Sequence, residues 1–254
     1  ELSKAEVDKY GRDYSKNWGY YNGKEYSIGH NHYIKPYFTL QHLMNGERLQ
    51  MKNSLYLAIA DGGGSSTYNN YKSGVASIIK HQTEDGHIDF DAIVAENQKD
   101  GVSKNVMIDY LSGHTQFGAI TSADYRLNDL WTASAGVQYQ YYATWSKMKI
   151  LDMLGGTSFT DPATNASLAV GDYVGSRYGR TTHHASPFIQ GRYSTESVNA
   201  NLGVTVFNGN YRRHNDATGE CSDWAHGWGA SVKGGILWNV NRHNAVYLNA
   251  GYNS

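Results

Sequence analysis

Between Trp131 and Trp145 the chain alternates residue by residue between apolar and polar side chains. One parity holds Trp131, Ala133, Ala135, Val137, Tyr139, Tyr141, Ala143 and Trp145. The other holds Thr132, Ser134, Gly136, Gln138, Gln140, Tyr142 and Thr144. Successive side chains of a strand point to opposite faces, so this segment makes one greasy face bounded by Trp at each end and one polar face. A strand that crosses a bilayer needs about 9–11 residues and is flanked by interfacial aromatics. The run satisfies both conditions.

The same pattern recurs along the chain. Residues 48–60 set Leu49, Met51, Leu55, Leu57 and Ile59 against Arg48, Gln50, Lys52 and Ser54. Residues 197–211 set Val198, Ala200, Leu202, Val204 and Val206 against Asn199, Asn201, Gly203 and Thr205. Residues 226–240 set Trp228, Ala230, Val232, Ile236, Trp238 and Val240 against Ser231, Lys233 and Asn239. Weaker runs at 32–44, 114–127, 184–194 and 245–254 bring the expectation to about eight strands.

Short connections fall at Asn45-Gly46-Glu47, Asn128-Asp129, Thr195-Glu196 and Asn241-Arg242-His243-Asn244. The first is a hairpin signal, because Asn-Gly readily takes positive φ angles. Long excursions at 61–113, 148–183 and 212–224 separate these turns. Outer-membrane barrels show that asymmetry, with tight periplasmic turns and long outer loops; soluble β-sandwiches keep connections shorter at both ends. Pro36 interrupts the 32–44 run, since proline cannot donate to a ladder. Lys35, Arg126 and Arg192 must face inward or sit near an interface. The first 30 residues show no clean period and read as a loop. Asp89–Asn97 reads as a short helix capped by Asp89.

Composition excludes some classes. The 254 residues carry 22 Lys+Arg against 23 Asp+Glu, so no basic excess points to nucleic acid. A mean hydropathy of −0.59 is compatible with a barrel, in which only alternate residues meet lipid. The lone Cys221 allows neither an internal disulfide nor a multi-cysteine zinc motif. No run of about 20 apolar residues is present, so no helix is expected to span a membrane. The chain starts at Glu1 and stops within the apolar run 245–254, and the expectation is a fragment.

Candidate chemistry is sparse. His30 with His32, and the adjacent His183 and His184, have no third ligand at a defined spacing. Asp61-Gly62-Gly63-Gly64 lacks the Lys-Ser/Thr ending of a phosphate-binding loop and reads as the start of a flexible loop. Asp161-Pro162-Ala163-Thr164-Asn165 reads as a turn, with a calcium loop as the alternative. No catalytic constellation is visible, so the expectation is neither an enzyme nor a cofactor or metal protein. Parity nominates Gln138, Gln140, Asn199 and Asn201 as residues lining an aqueous interior. Tyr68, Tyr71, Tyr173 and Tyr178 lie in the excursions at 61–113 and 148–183, where they would stack on a ligand or pack the loops together.

Lys35-Pro36-Tyr37-Phe38-Thr39-Leu40, an Asn-Gly turn, and Ser54-Leu55-Tyr56 leading to Gly62-Gly63-Gly64 resemble barrel segments of TonB-dependent receptors of the Bacteroidetes type. Ile88–Gln98 before Asn105-Val106-Met107-Ile108, Tyr141-Tyr142 followed by Leu151–Gly156, and Ser222-Asp223-Trp224 running into Lys233–Ile236 are similar as well. The resemblance spreads over most of residues 31–254. It implies an all-β fold, an antiparallel transmembrane β-barrel with long extracellular loops, of which residues 1–254 form part and the plug domain is not included. Barrels of this type have about 22 strands. It further implies a bacterial outer-membrane location, contact with outer-membrane lipid and uptake of a scarce small ligand (an iron chelate or siderophore, a vitamin such as cobalamin, or a glycan). Coupling to the TonB complex would run through an N-terminal region outside this sequence, and a surface lipoprotein is a further expected partner; nucleic acid is not. The alternatives are a passive porin or structural outer-membrane protein, and a secreted soluble β-sandwich that binds glycans.

Overall fold

The computed structural model describes residues 2–69 and 81–254. In chain order its elements are α1 (Lys4–Tyr10), β1 (Trp18–Tyr21), β2 (Lys24–Ser27), β3 (Asn31–Ile34), β4 (Tyr37–Asn45), β5 (Leu49–Asn69), β6 (Ile88–Asp89), α2 (Phe90–Asp100) and β7 (Val102–Ser103). There follow β8 (Asn105–Arg126), β9 (Trp131–Asp152), β10 (Ser158–Thr160), β11 (Ser167–Leu168), β12 (Tyr173–Ser194), β13 (Val198–Asn215), β14 (Ala225–Asn241) and β15 (Asn244–Asn253). The fold is all-β and built mainly from antiparallel pairs. Nine strands form one sheet in the order β15-β14-β13-β12-β9-β8-β5-β3, with β4 also on β5; two three-stranded sheets, β2-β1-β6 and β11-β10-β7, are separate. The large sheet does not return on itself: among the described residues no sheet closes into a barrel.

The expected strand at 32–44 is two strands. Pro36 falls between β3 and β4, and both pair with the single strand β5, His32 opposite Gly63 and Leu40 opposite Leu55. Proline has no N–H to offer, yet its carbonyl still accepts from Ile59 N at 3.2 Å, so the ladder resumes at once. The turns stand where the sequence places them, but their chemistry differs. Gly46 donates its N–H to Leu49 O, and its φ is not in the left-handed region, so the tight Asn-Gly geometry expected there is not used. Side chains close the other turns. Asn128 Oδ1 accepts from the amides of Leu130 and Trp131, Thr195 Oγ1 from Val198 N, and Asn241 Oδ1 from the amides of His243 and Asn244.

The chain divides into two compact units. Unit 1 is Glu1–Ile34, Asp61–Gly113 and Trp145–Tyr178; unit 2 is Lys35–Ala60, His114–Thr144 and Gly179–Ser254. Unit 1 corrects three expectations. The first 30 residues are not an unstructured loop, because they contain α1, closed by a reciprocal Ser3–Glu6 capping box, and the β1–β2 hairpin. The excursions at 61–113 and 148–183 are shorter than expected, because β5, β8, β9 and β12 run for 21 or 22 residues each. Asp61-Gly62-Gly63-Gly64 is strand, not flexible loop. At Gly62 a Cβ would lie 2.3 Å from the Tyr33 ring and 2.6 Å from His32 O, so the glycine permits the close approach of β3.

Unit 1 holds the larger core because one strand is covered on both faces. At the start of β8, Met107 packs with Ile28, Ile88, Phe90, Ile93 and Leu154, while Val106 and Ile108 pack with Ile150, Met153, Phe159 and Val174. A strand buried on both faces reads as a continuous apolar run without alternation. Helix α2 is present as expected: Asp89 accepts from Ala92 N at 2.9 Å, and Gly101 ends the helix in the left-handed region at φ 71°. Its buried Asn97 ties the surrounding chain together. Nδ2 donates to the carbonyls of Asn105 (3.1 Å), Met153 (3.3 Å) and Leu154 (2.9 Å), and Oδ1 accepts from Lys104 N at 2.9 Å. Replacing Asn97 by Ala leaves these buried groups unpaired and should cost about 2–3 kcal/mol of local stability. Faster hydrogen exchange at Lys104 and along α2 is the expected readout; unchanged exchange would contradict this role.

Candidate functional site: the two faces of the large sheet

Unit 2 is a sheet with two chemically distinct faces. Cross-strand partners share a face, so the registers Leu40↔Leu55, Ala200↔Ile236, Val204↔Val232, Ile236↔Leu248 and Val232↔Tyr252 assemble one apolar surface from the predicted parities. Trp131 against Tyr193 (ring centroids 5.0 Å) and Phe117 against Tyr141 (6.0 Å) extend it across β8, β9 and β12. This surface is bare. Leu40 is 67% exposed, Ile189 65%, Leu202 60% and Leu248 67%. A shallow hollow of ≈ 750 Å³ lies in it, where the small residues Ala123, Ala133, Ala135, Gly191 and Ala200 sit between Tyr125, Trp131, Ile189 and Leu202.

Aromatic side chains gather at both ends of the apolar face. Near the short turns are Tyr125, Trp131, Tyr193 and Trp238; toward the other end are Phe117, Tyr139, Tyr141, His183 and Trp228. Tyr139 Oη and His183 Nδ1 are 2.8 Å apart, and the Trp224 ring lies 5.4 Å from His183. One polar seam crosses the face. Asn53 Nδ2 is 3.0 Å from His42 Nδ1, and Thr121 Oγ1 donates to Asn53 Oδ1, so the three polar side chains satisfy one another.

The opposite face carries the predicted lining residues. Gln138 and Asn201 are exposed, and Gln140 and Asn199 half-buried. Asn199 accepts from Ser194 Oγ. The four are not one cluster, because β12 separates β9 from β13. Arg192 lies on the polar face: its Nη2 is 3.5 Å from Asp124 Oδ1, which also accepts from Ser134 Oγ at 2.5 Å. Arg126 sits at the turn, with Nη2 donating to Glu47 O at 3.1 Å.

Asn201 borders two hollows of ≈ 390 and ≈ 310 Å³, both also lined by Lys233 and with no carboxylate in either lining. Lys233, Gln190 and Asn249 are not among the residues that parity nominates as lining. The signal for Lys233 was present, since it falls on the polar parity of the 226–240 run. The polar face is not purely polar. Three glycines on it lie under aromatic rings of neighbouring strands: Gly118 under Tyr56, Gly136 under Phe188 and Gly229 under Phe207. A bare glycine in a strand is stabilised by a ring folded across it, which supplies contacts the absent side chain cannot.

The tyrosines placed in loops by the sequence lie in strands, except Tyr71, which is outside the described residues. Tyr68 in β5 packs edge-on against Phe159 at 5.9 Å, and burial, then the Asp161 carboxylate, holds its phenol above the usual range. Tyr173, the first residue of β12, has Lys147 Nζ at 4.9 Å and the Arg177 guanidinium at 5.5 Å from its ring. Tyr178 is half-buried in β12. Among the described residues no group of three or more His, Cys, Asp or Glu is placed to hold a metal. No helix of the described residues is long and apolar enough to cross a membrane.

Gly229→Ala drives a methyl group to within 2.1 Å of the Phe207 ring and should cost about 1–3 kcal/mol. Adding Phe207→Ala should recover part of that loss in a double-mutant cycle of urea unfolding. Additive losses would show that the ring does not rest on the glycine. No family model matches this chain, and no curated protein matches it.

Proposed function

We propose that unit 2 is wall of a bacterial outer-membrane β-barrel, its apolar face against lipid and its polar face toward an aqueous interior, and that the parent protein is a receptor of the TonB-dependent type. The observation that carries this reading is the bare apolar face. Soluble monomers rarely expose contiguous apolar patches larger than a few hundred Å², and here neighbouring strands from β4 to β15 present Leu, Val, Ile and Trp outward.

The spacing of the aromatic belts supports a bilayer as the covering medium. Trp131 and Tyr141 are ten residues apart in β9 (141 − 131), roughly 33 Å of strand at about 3.3 Å per residue. Tilted by about 40°, such a strand crosses roughly 25 Å, the height of the apolar band in outer-membrane barrels. The open edges at β4 and β15 would pair with further strands of the same barrel, since an unpaired edge of this length invites aggregation. Uptake would be of a scarce small ligand such as an iron chelate, cobalamin or a glycan. TonB coupling would run through a region outside this sequence, and a surface lipoprotein would be an accessory partner. The amides and Lys233 on the polar face would meet that ligand in passage.

Arginine scanning in the full-length protein tests the assignment of faces. Val137→Arg and Val204→Arg place a charge on the proposed lipid face and should cost about 2–4 kcal/mol each near the bilayer midplane. Both should abolish heat-modifiable folding in the outer membrane. Gln138→Arg and Gln140→Arg should assemble normally. Equal tolerance at all four positions, or a native protein that is soluble without detergent and buries this face under a second sheet, would overturn the reading.

A further inference from the structure

At the end of the apolar face remote from the short turns, unit 2 carries a cation that no group of its own balances. Arg212 follows Val206, Asn208 and Asn210 at two-residue intervals in β13, so all four stand on the same side of the sheet. Among the described residues no carboxylate lies within ion-pair distance of Arg212, and no acceptor takes a hydrogen bond from it. Its Nε is buried, whereas its two terminal nitrogens keep contact with solvent. The guanidinium carbon lies 4.9 Å from the centre of the Trp224 ring, and that ring is backed in turn by His183 at 5.4 Å. Stacking on an indole holds the planar group in one orientation. Asp216, in the loop that follows β13, is already engaged by His214 Nδ1 at 2.7 Å.

A second group stands beside it. Asn210 pairs with His226 across the ladder. Asn210 Nδ2 donates to Asn208 Oδ1, and its Oδ1 accepts from His226 Nδ1 at 2.5 Å. That arrangement fixes the imidazole tautomer and leaves Nε2 available to a ligand.

Height along the strands decides what can meet these groups. Trp228, 76% exposed, stands ten residues before Trp238 in β14 (238 − 228). The spacing repeats that of Trp131 and Tyr141 and crosses roughly 25 Å in a strand tilted by about 40°. Trp228 pairs with Asn208, so His226 lies two residues and Arg212 four residues past this belt. By the same rise and tilt those positions are roughly 5 and 10 Å beyond the apolar band. The head-group layer of a bilayer occupies about 5–8 Å on each side of the hydrocarbon, so the two residues bracket it.

We propose that Arg212 and His226 bind the phosphate of an anionic lipid in the leaflet remote from the short turns, with its acyl chains against Trp228 and the aliphatic residues beneath. The inference rests on the membrane reading and names the class of lipid that this part of the face takes. A guanidinium offers phosphate two parallel N–H bonds. The His226 Nε2 accepts from the P–OH of a phosphate monoanion or, when protonated, donates to its P–O⁻. A cation placed at the surface of a bilayer attracts anionic head groups over neutral ones. A lipid adds chain contacts that free phosphate lacks.

Native mass spectrometry of the full-length protein in detergent tests the site. Dioleoyl phosphatidic acid is the probe, and dioleoylglycerol, the same chains without phosphate, is the control. Retention of phosphatidic acid at least tenfold above dioleoylglycerol is expected. Arg212→Gln should lower that preference about tenfold, through loss of a charge-assisted bidentate contact. Arg212→Lys keeps the charge but not the fork and should lose less; it carries the test if Arg212→Gln fails to assemble. Arg213→Gln, adjacent in sequence but on the other face, should change nothing. Equal retention of the two lipids, an unchanged preference in the Arg212 variants, an equal loss in Arg213→Gln, or displacement of the lipid by equimolar inorganic phosphate rules the proposal out. Heat-modifiable assembly of the wild type separates this site from the reading beneath it. Where assembly is normal and the lipid preference absent, only the lipid site fails; a protein that needs no detergent removes both.

Discussion

One constraint governs unit 2: a sheet with an oily face must have something against that face. Covering one large aliphatic side chain contributes about 1.5–3 kcal/mol, and the apolar surface here repeats such residues from β4 to β15. Within unit 2 nothing lies over them, since the unit is made of strands of one sheet and their turns. The backbone needs no second layer, because each interior strand is hydrogen-bonded on both sides. What is missing is a cover for the side chains, and on the proposed reading hydrocarbon supplies it.

Unit 1 solves the same problem internally. Its short strands, α2 and the ends of the long strands enclose two apolar clusters, and the buried amide of Asn97 satisfies backbone groups that the irregular chain leaves open. Part of its surface instead forms a cleft lined by His30, His32, Asp109 and Asp152. One unit therefore meets its needs from its own residues, and the other presents its apolar side chains outward.

The sequence was most legible where the two faces of a strand differ in chemistry. Alternation in 131–145 locates β9, and the turn residues at 45–47, 128–129, 195–196 and 241–244 locate the hairpins. It failed where that difference vanishes. Val106, Met107 and Ile108 are all buried, so no period marks the start of β8. The glycines at 62–64 have no side chains to alternate, and their strand pairing depends on Tyr33 and His32 from a distant segment. Tyr68 and Tyr173 inherited the loop assignment for this reason. Parity places Gln138, Gln140, Asn199 and Asn201 on the polar side of their strands. It could not reveal that Asn201 shares its hollows with Lys233, a neighbour on another strand. The Asp109 cleft is assembled from five separated segments and leaves no local signature.

Spin labels placed one at a time from Asn201 to Val206 of the full-length protein in lipid vesicles report most directly on whether the apolar face meets hydrocarbon. Collision rates with dissolved oxygen should peak at Leu202, Val204 and Val206, and those with a water-soluble nickel chelate at Asn201, Gly203 and Thr205, the two series running in opposite phase. Low oxygen accessibility along the whole segment, or two series in phase, would mean that another protein layer covers these side chains and that the membrane account is wrong.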